Sequence, residues 1–290
     1  MAEVMSANEE AIEAWNGVLF DRFLQYRDIL VDGLGQHGDV AMELHPPARG
    51  HRVLDIGCGF GDTSRTLADL VGSEGSVLGV DAAERFIDLA SAEAAEAGAR
   101  NVKFEVADVE ARKFDERFDY AFGRFGTMFF ANPVAALRNV REALEPGGRL
   151  CMVVWRRKLD NEWLHRAEQV VEQWVEEDED SEEPTCGPGP FSMADADTTS
   201  QILINAGFED VGFRRCDLDF RVGEDLDKAV ELVMALGPAG EVIRLAGEQA
   251  EQLRPEIEAA LREALGDFVR PGGETVARSS TWIVTAANPG

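Results

Sequence analysis

The stretch VLDIGCGFGDTS, Val53 to Ser64, decides the class of fold. A short apolar run carries Asp55 near its end, glycines follow at positions 57, 59 and 61, and Asp62, Thr63 and Ser64 open a segment with helical spacing. Strand, tight glycine turn and helix in that order form a phosphate- or nucleotide-type loop. A dinucleotide fingerprint would put its third glycine at position 62, where this chain has Asp62. A carboxylate there faces a pyrophosphate with like charge, so a nicotinamide dinucleotide is disfavoured. No Gly-Lys-Ser/Thr follows, which removes the Walker A loop. The pattern suits a ligand with an amino-acid head group, whose ammonium a protein carboxylate can receive and whose carboxylate backbone N–H groups can receive.

Outward from the loop, apolar runs and helical spacings alternate. Strands are expected at 52–56, 76–80, 102–106, 118–123 and 148–155, with helices at 62–71, 84–97 and 133–144. That alternation predicts an α/β fold, a mostly parallel sheet covered by helices on both faces. Pro146, Gly147 and Gly148 end the third of these helices, while Asn132 and Pro133 read as its N-cap and first-turn proline. Apolar positions between 6 and 34, Trp15 and Phe23 among them, predict one or two amphipathic helices ahead of the sheet. Further helices are expected at 161–176 and 195–206, a strand from Val211, an inserted helical stretch at 224–266 and a last strand in SSTWIVTAA. The prolines and glycines of PTCGPGPFSMAD mark a loop able to close over a pocket.

Three acids fall at three successive strand tips. Asp55 ends the first strand, Asp81 the second in VLGVDAA, and Asp108 follows the third in FEVADVE. Ligands of such sheets bind outside the carboxyl ends of the strands, where an acid can accept both hydroxyls of a ribose. Alone, each is a surface carboxylate or helix cap; together with the glycine spacing they define a candidate site.

Composition narrows the partners. A formal net charge of −27 over 290 residues repels phosphate backbones, which argues against nucleic acid. The absence of a long apolar run argues against a membrane span or signal peptide and for a soluble, cytoplasmic protein. Cys58, Cys151, Cys186 and Cys216 are scattered without a CxxC pair, so no metal site is expected. EEDEDSEE, Glu176 to Glu183, reads as a solvated acidic surface.

Taken together, VLDIGCGFGDTS, LGVDAA, VADVE, FDYAFGRFGTMFF and LEPGGRLCMVVW resemble the successive motifs of the class I S-adenosylmethionine-dependent methyltransferases, more narrowly the ubiquinone/menaquinone-biosynthesis-like small-molecule branch. The resemblance implies a Rossmann-like, seven-stranded sheet with a reversed final hairpin, to which 211–221 and 280–287 would contribute. It implies one domain: an N-terminal helical cap at 1–45, a cofactor-binding core at 50–155, and insertions at 178–196 and 224–266 shaping the acceptor pocket. Carried over residue by residue, it places Gly57, Cys58 and Gly59 under the methionine part of S-adenosylmethionine, with Asp55 at its amino group and Thr63 at the helix entrance. Asp81 would hold the ribose, Ala82 would pack on adenine, Asp108 and Val109 would read its edge, and Arg124 and Phe125 would flank the sulfonium. Trp15 is either a lid over the cofactor or an ordinary core tryptophan.

The implied activity is in-line transfer of a methyl group to a small-molecule acceptor, leaving S-adenosylhomocysteine, with oxygen, nitrogen, carbon and sulfur acceptors all open. Of the histidines at 37, 45, 51 and 165, His165 lies where an acceptor base would be expected. Met128, Phe129, Phe130 and Trp163 are the candidate acceptor wall. The different-class alternative is a non-catalytic S-adenosylmethionine- or S-adenosylhomocysteine-binding protein with an assembly role.

Overall fold

The architecture comes from a computed structural model that describes residues 7–175 and 187–290. The acidic run, Cys186 and much of the 178–196 insertion lie outside the described residues.

Seven strands, β1 (Arg52–Ile56), β2 (Ser76–Asp81), β3 (Val102–Val106), β4 (Phe118–Arg124), β5 (Leu144–Trp155), β6 (Glu209–Gly223) and β7 (Thr275–Ala287), form one sheet in the order β3-β2-β1-β4-β5-β7-β6. Strands β1 to β5 pair in parallel, and β7 runs antiparallel to both of its neighbours. The expected Rossmann-like sheet with a reversed final pair is therefore present. Successive side chains point to opposite faces, and along the central strands β1, β4 and β5 both faces are largely buried. Leu54, Ile56, Leu150, Met152 and Val154 enter one core; Val53, Phe122, Cys151 and Val153 enter the other.

Helices cover both cores because each presents one apolar stripe. From α5 (Asp62–Val71), Leu67, Ala68 and Val71 pack on Val53 and Val77. From α7 (Pro133–Ala143), Ala136, Leu137 and Val140 enter the opposite core. Asn132 caps that helix, accepting from the Ala135 N–H at 3.0 Å, with Pro133 in its first turn as expected. The helix stops at Ala143, and β5 begins at Leu144 rather than at 148. Leu144 pairs with Phe118 and Arg149 with Tyr120, so the Pro-Gly-Gly turn is carried inside the strand as an irregularity, with Gly147 at φ 80°.

The N-terminal region is more broken than its periodicity suggests. It comprises α1 (Ala7–Asn16), α2 (Val18–Gln25), α3 (Arg27–Ile29), a π-helical turn at Leu30–Leu34 and α4 (Gly35–Leu44). Gly17, at φ −105° and ψ −118°, separates the first two. Glycines in the later part permit close contact: a Cβ on Gly33 would lie 2.4 Å from the Phe220 ring, and one on Gly38 would lie 2.9 Å from the Arg124 side chain. The same segment buries His37, whose Nδ1 is 2.9 Å from Thr281 Oγ1 and whose Nε2 is 2.6 Å from Ser279 Oγ. These bonds pin α4 to β7.

α6 (Glu84–Glu96) follows β2, α8 (Glu162–Val171) follows β5, and α9 (Ala196–Ala206) precedes β6. The last two strands run longer than expected, and between them stand α10 (Leu226–Ala235), α11 (Gly237–Ala246), α12 (Glu248–Gln252) and α13 (Arg254–Leu265). They fall within the helical insertion read at 224–266.

Candidate active site

Strand order reverses between β1 and β4, so the loops leaving these two strands diverge and open a crevice at the carboxyl edge. The loops nearly touch at its base: a Cβ on Gly57 would lie 2.9 Å from the Gly126 Cα. Gly57, at φ 63°, sits in the left-handed region that side chains avoid, so both its conformation and its neighbour demand glycine. Cys58 N donates to Val80 O at 3.0 Å and Gly61 N to Cys58 O at 2.9 Å, fixing the turn. Burial, with Asp81 and Asp55 nearby, pushes the Cys58 thiol well above its usual range and keeps it a neutral wall.

A cavity of about 630 Å³ opens over this loop. Asp81 lies on it, half-buried, with one carboxylate oxygen accepting from Gly59 N and the other from Ala83 N, both at 3.0 Å. Burial raises its pKa while these backbone donors oppose the rise. Each oxygen keeps a lone pair for a ligand. Asp108 lies beyond β3, its Oδ1 accepting from Glu110 N at 2.9 Å and its Oδ2 from the Asn8 side chain at 2.6 Å. Asn8 thus ties α1 across the third strand tip, a role that no sequence signal marked. Trp15, also from α1, lines the cavity and meets Phe129 edge-on at 4.9 Å, the position a lid would occupy.

At the tip of β4, Arg124 is paired with Asp62 at 2.6 Å, both side chains less than one-fifth exposed. Phe125 follows at φ 60°, unusual for a side-chain-bearing residue, and its ring stacks on Trp155 at 4.8 Å. Such strain concentrates where a loop must present a surface to a ligand. Gly57, Cys58, Gly59, Ala82, Val109, Arg124 and Phe125 all line the cavity, as do Met128, Phe129, Phe130 and Trp163.

Three expected residues are placed elsewhere. Asp55 is buried behind the loop, away from the cavity lining, and accepts from Ser64 Oγ at 2.5 Å. Burial drives its carboxyl up to about 7, against the pull of Ser64 and Arg124. The alternation along β1 explains this: Asp55 points to the face that α5 covers, and Ser64 of that helix captures it. Thr63 lines a separate, smaller cavity with Asp39, Met42 and Thr66. His165 is also off the main cavity, which α8 lines with Trp163, Leu164 and Glu168. At about 100° per residue those three span one arc of the helix and His165 lies outside it.

Further lining comes from residues not singled out in the sequence, some of them within the insertions expected to shape the pocket. Trp155 at the β5 tip, Lys158, Glu168 and Phe220 contribute, together with Leu232, Leu236 and Pro238 of the late helical insertion. Gly187 to Phe191 of the Pro/Gly-rich loop also line it, as the loop's composition suggested.

Comparison with known proteins places this geometry. Residues 47–214 match the family described as Methyltransferase domain. Aklanonic acid methyltransferase DauC of a Streptomyces species is 40% identical over 110 residues, covering 38% of this chain and 50% of that protein, so the match spans only half of the relative's length. The ubiquinone/menaquinone biosynthesis C-methyltransferase UbiE of Shewanella oneidensis is 29% identical over 173 residues, covering 57% of this chain and 68% of that protein. A Haemonchus contortus phosphoethanolamine N-methyltransferase 2, solved with phosphomonomethylethanolamine and S-adenosylhomocysteine, has the same fold with a TM-score of 0.58 at 16% identity, covering 99% of this chain and 61% of that one. With the family match spanning more than half of the residues, this chain belongs to the methyltransferase-domain family, in its class I, S-adenosylmethionine-dependent group.

Proposed function

We propose that the protein transfers a methyl group from S-adenosylmethionine to a small, largely apolar acceptor. One observation carries the reading: a single cavity of about 630 Å³ runs from the glycine loop and Asp81 to an aromatic chamber around Trp155, Trp163 and Phe191. That volume lies within the range of about 300–1,000 Å³ usual for ligand pockets. It supports two molecules meeting beside Phe125. A non-catalytic cofactor binder has no need of the second chamber.

The residues present fit S-adenosylmethionine. The spare lone pairs of Asp81 suit a ribose diol, and Asp108 with Val109, on the same cavity, suits an adenine edge. Gly57, Cys58 and Gly59 provide a side-chain-poor floor for the methionine part, and Asp55 positions that floor from behind through Ser64. When bound, the cofactor supplies an electrophilic methyl on a sulfonium centre. The chain's own part is to hold the acceptor in line and keep water out. Phe125 and Trp155 form an aromatic wall at the junction, while Trp15 and the Gly187–Phe191 loop close over it. His165 is not needed for this arrangement.

The net charge of −27 supports a small-molecule acceptor over a nucleic acid. Among the described residues no helix is long and apolar enough to cross a membrane, in keeping with a cytoplasmic enzyme.

The test is calorimetric titration with S-adenosylmethionine, S-adenosylhomocysteine and NAD, with Asp81→Ala alongside. Loss of charge-assisted hydrogen bonds worth about 1.5–3 kcal/mol should weaken the sulfur ligands roughly 10- to 150-fold in the variant. Unchanged affinity in folded Asp81→Ala removes Asp81 from the site; absence of binding by both sulfur ligands removes the reading.

A further inference from the structure

We propose that the far end of the cavity is a subsite for a hydroxyl group borne by a flat, aromatic or conjugated molecule, recognised by the ion pair Lys158–Glu168. The proposal takes from the methyl-transfer reading only that this molecule is the acceptor. Lys158 Nζ lies 2.6 Å from both carboxylate oxygens of Glu168, and both residues line the cavity. Lys158 stands on the turn after β5; Glu168 is on α8, 9% exposed, on the same arc as Trp163 and Leu164.

The surroundings of the pair are aromatic. Trp163 packs on Phe220 at 5.1 Å, and Lys158 Nζ sits 5.8 Å from the centre of the Phe191 ring. The Glu168 side chain is 12% exposed and that of Lys158 is 38% exposed, so a buried carboxylate and an accessible ammonium stand together on the lining. The other charged side chains at this end are engaged within the helical frame: Glu241 pairs with Arg244 at 2.9 Å, and Arg22 reaches the carbonyl of Ala235 at 3.2 Å.

Hydrogen-bonding capacity then selects the ligand. The ammonium has three hydrogens and spends two on Glu168; each carboxylate oxygen has a second lone pair. One donor and one acceptor are therefore displayed side by side, and the pair as a whole is neutral. A hydroxyl satisfies both, whereas an anion meets Glu168 and a cation meets Lys158. Ring geometry selects the shape. Phe125 and Trp155 stack with 30° between planes, and Trp155 and Phe191 follow at 6.4 Å with 38°. The three rings, the first two in contact and the third tilted beside them, line the cavity as one aromatic wall from the β4 tip toward Lys158, against which a planar skeleton can lie.

Equilibrium dialysis of the full chain, with and without S-adenosylhomocysteine, would compare 2-naphthol, 2-methoxynaphthalene and 2-naphthoate. The expected result is at least about tenfold tighter binding of 2-naphthol than of either analogue, the scale of one hydrogen bond to a charged partner. In the double variant Lys158→Met/Glu168→Leu the advantage should fall below about twofold. Should that variant misfold, Glu168→Gln should shrink the advantage severalfold while Lys158 remains. Equal binding of 2-naphthol and its methyl ether, a preference for 2-naphthoate, or an advantage that survives in folded variants overturns the subsite. S-adenosylhomocysteine binding without a hydroxyl preference overturns the subsite alone. A hydroxyl preference without S-adenosylhomocysteine binding keeps the subsite and discards the methyl-donor reading.

Discussion

Asp55→Asn removes one titratable proton from the most enclosed carboxyl at the loop and leaves its shape in place. Asp55 is 1% exposed and accepts from Ser64 Oγ at 2.5 Å, a bond that an asparagine carbonyl can also accept. Burial raises its pKa from 3.8 to about 7. The folded state therefore binds this proton more tightly than the unfolded chain does, and its contribution to stability is fully present below pH 3.8. That contribution is lost as the pH rises, and the loss is complete above about 7. At about 1.36 kcal/mol per pH unit the window corresponds to an effect on the order of 4 kcal/mol. Urea unfolding of both proteins, followed by tryptophan fluorescence at pH 4, 5, 6, 7 and 8, should show the variant gaining on the wild type across the series and levelling off near pH 8. Taking the difference between the two proteins cancels the background of the other carboxylates. A difference that stays constant within about 0.5 kcal/mol over the series would refute the argument that Asp55 is desolvated behind the loop.

Three other changes test separate parts of the site. Asp81→Ala should weaken S-adenosylhomocysteine binding roughly 10- to 150-fold by calorimetry, without a comparable loss of folded protein. Gly57→Ala forces a side chain into the left-handed region, costing about 1–2 kcal/mol, and pushes on Gly126; a lower Tm and at least about tenfold weaker S-adenosylhomocysteine binding are expected, and a normal Tm with normal binding would count against the close approach of the two loops. His37→Leu removes the imidazole's bonds to Ser279 and Thr281, whose hydroxyls keep the carbonyls of Leu218 and Cys216, and should cost about 1–3 kcal/mol at pH 8 in urea unfolding. Burial lowers the His37 pKa to about 4, so its contribution is present above pH 6.5 and is lost as the pH falls toward 4; the variant should lack that slope.

The central α/β frame was legible because its signals are local. The apolar run Val53 to Ile56, glycines at the turn and the cap Asn132-Pro133 act within a few residues of one another, and all appear where they were read. The strand-tip rule likewise brought Asp81 and Asp108 to one edge, because parallel strands in register bring their carboxyl ends together, and Arg124 and Phe125, named from the family resemblance, line the same cavity.

What the sequence by itself determined was the central strands and helices and the edge at which the cavity opens; what only the tertiary structure decided was which side chains line it. Asp55 carries the same motif whether it points over the loop or behind it, and the choice is made by Ser64 on a helix packed across the strand. His165 and Glu168 belong to one helix, and the rotation of α8 against the sheet sets Glu168 on the cavity and His165 off it. Asn8 meets Asp108 across 100 residues of chain, and Lys158 meets Glu168 across a turn and half a helix. Sequence patterning specifies burial along one element, but contact between elements is set by packing many side chains at once, and no single residue records it.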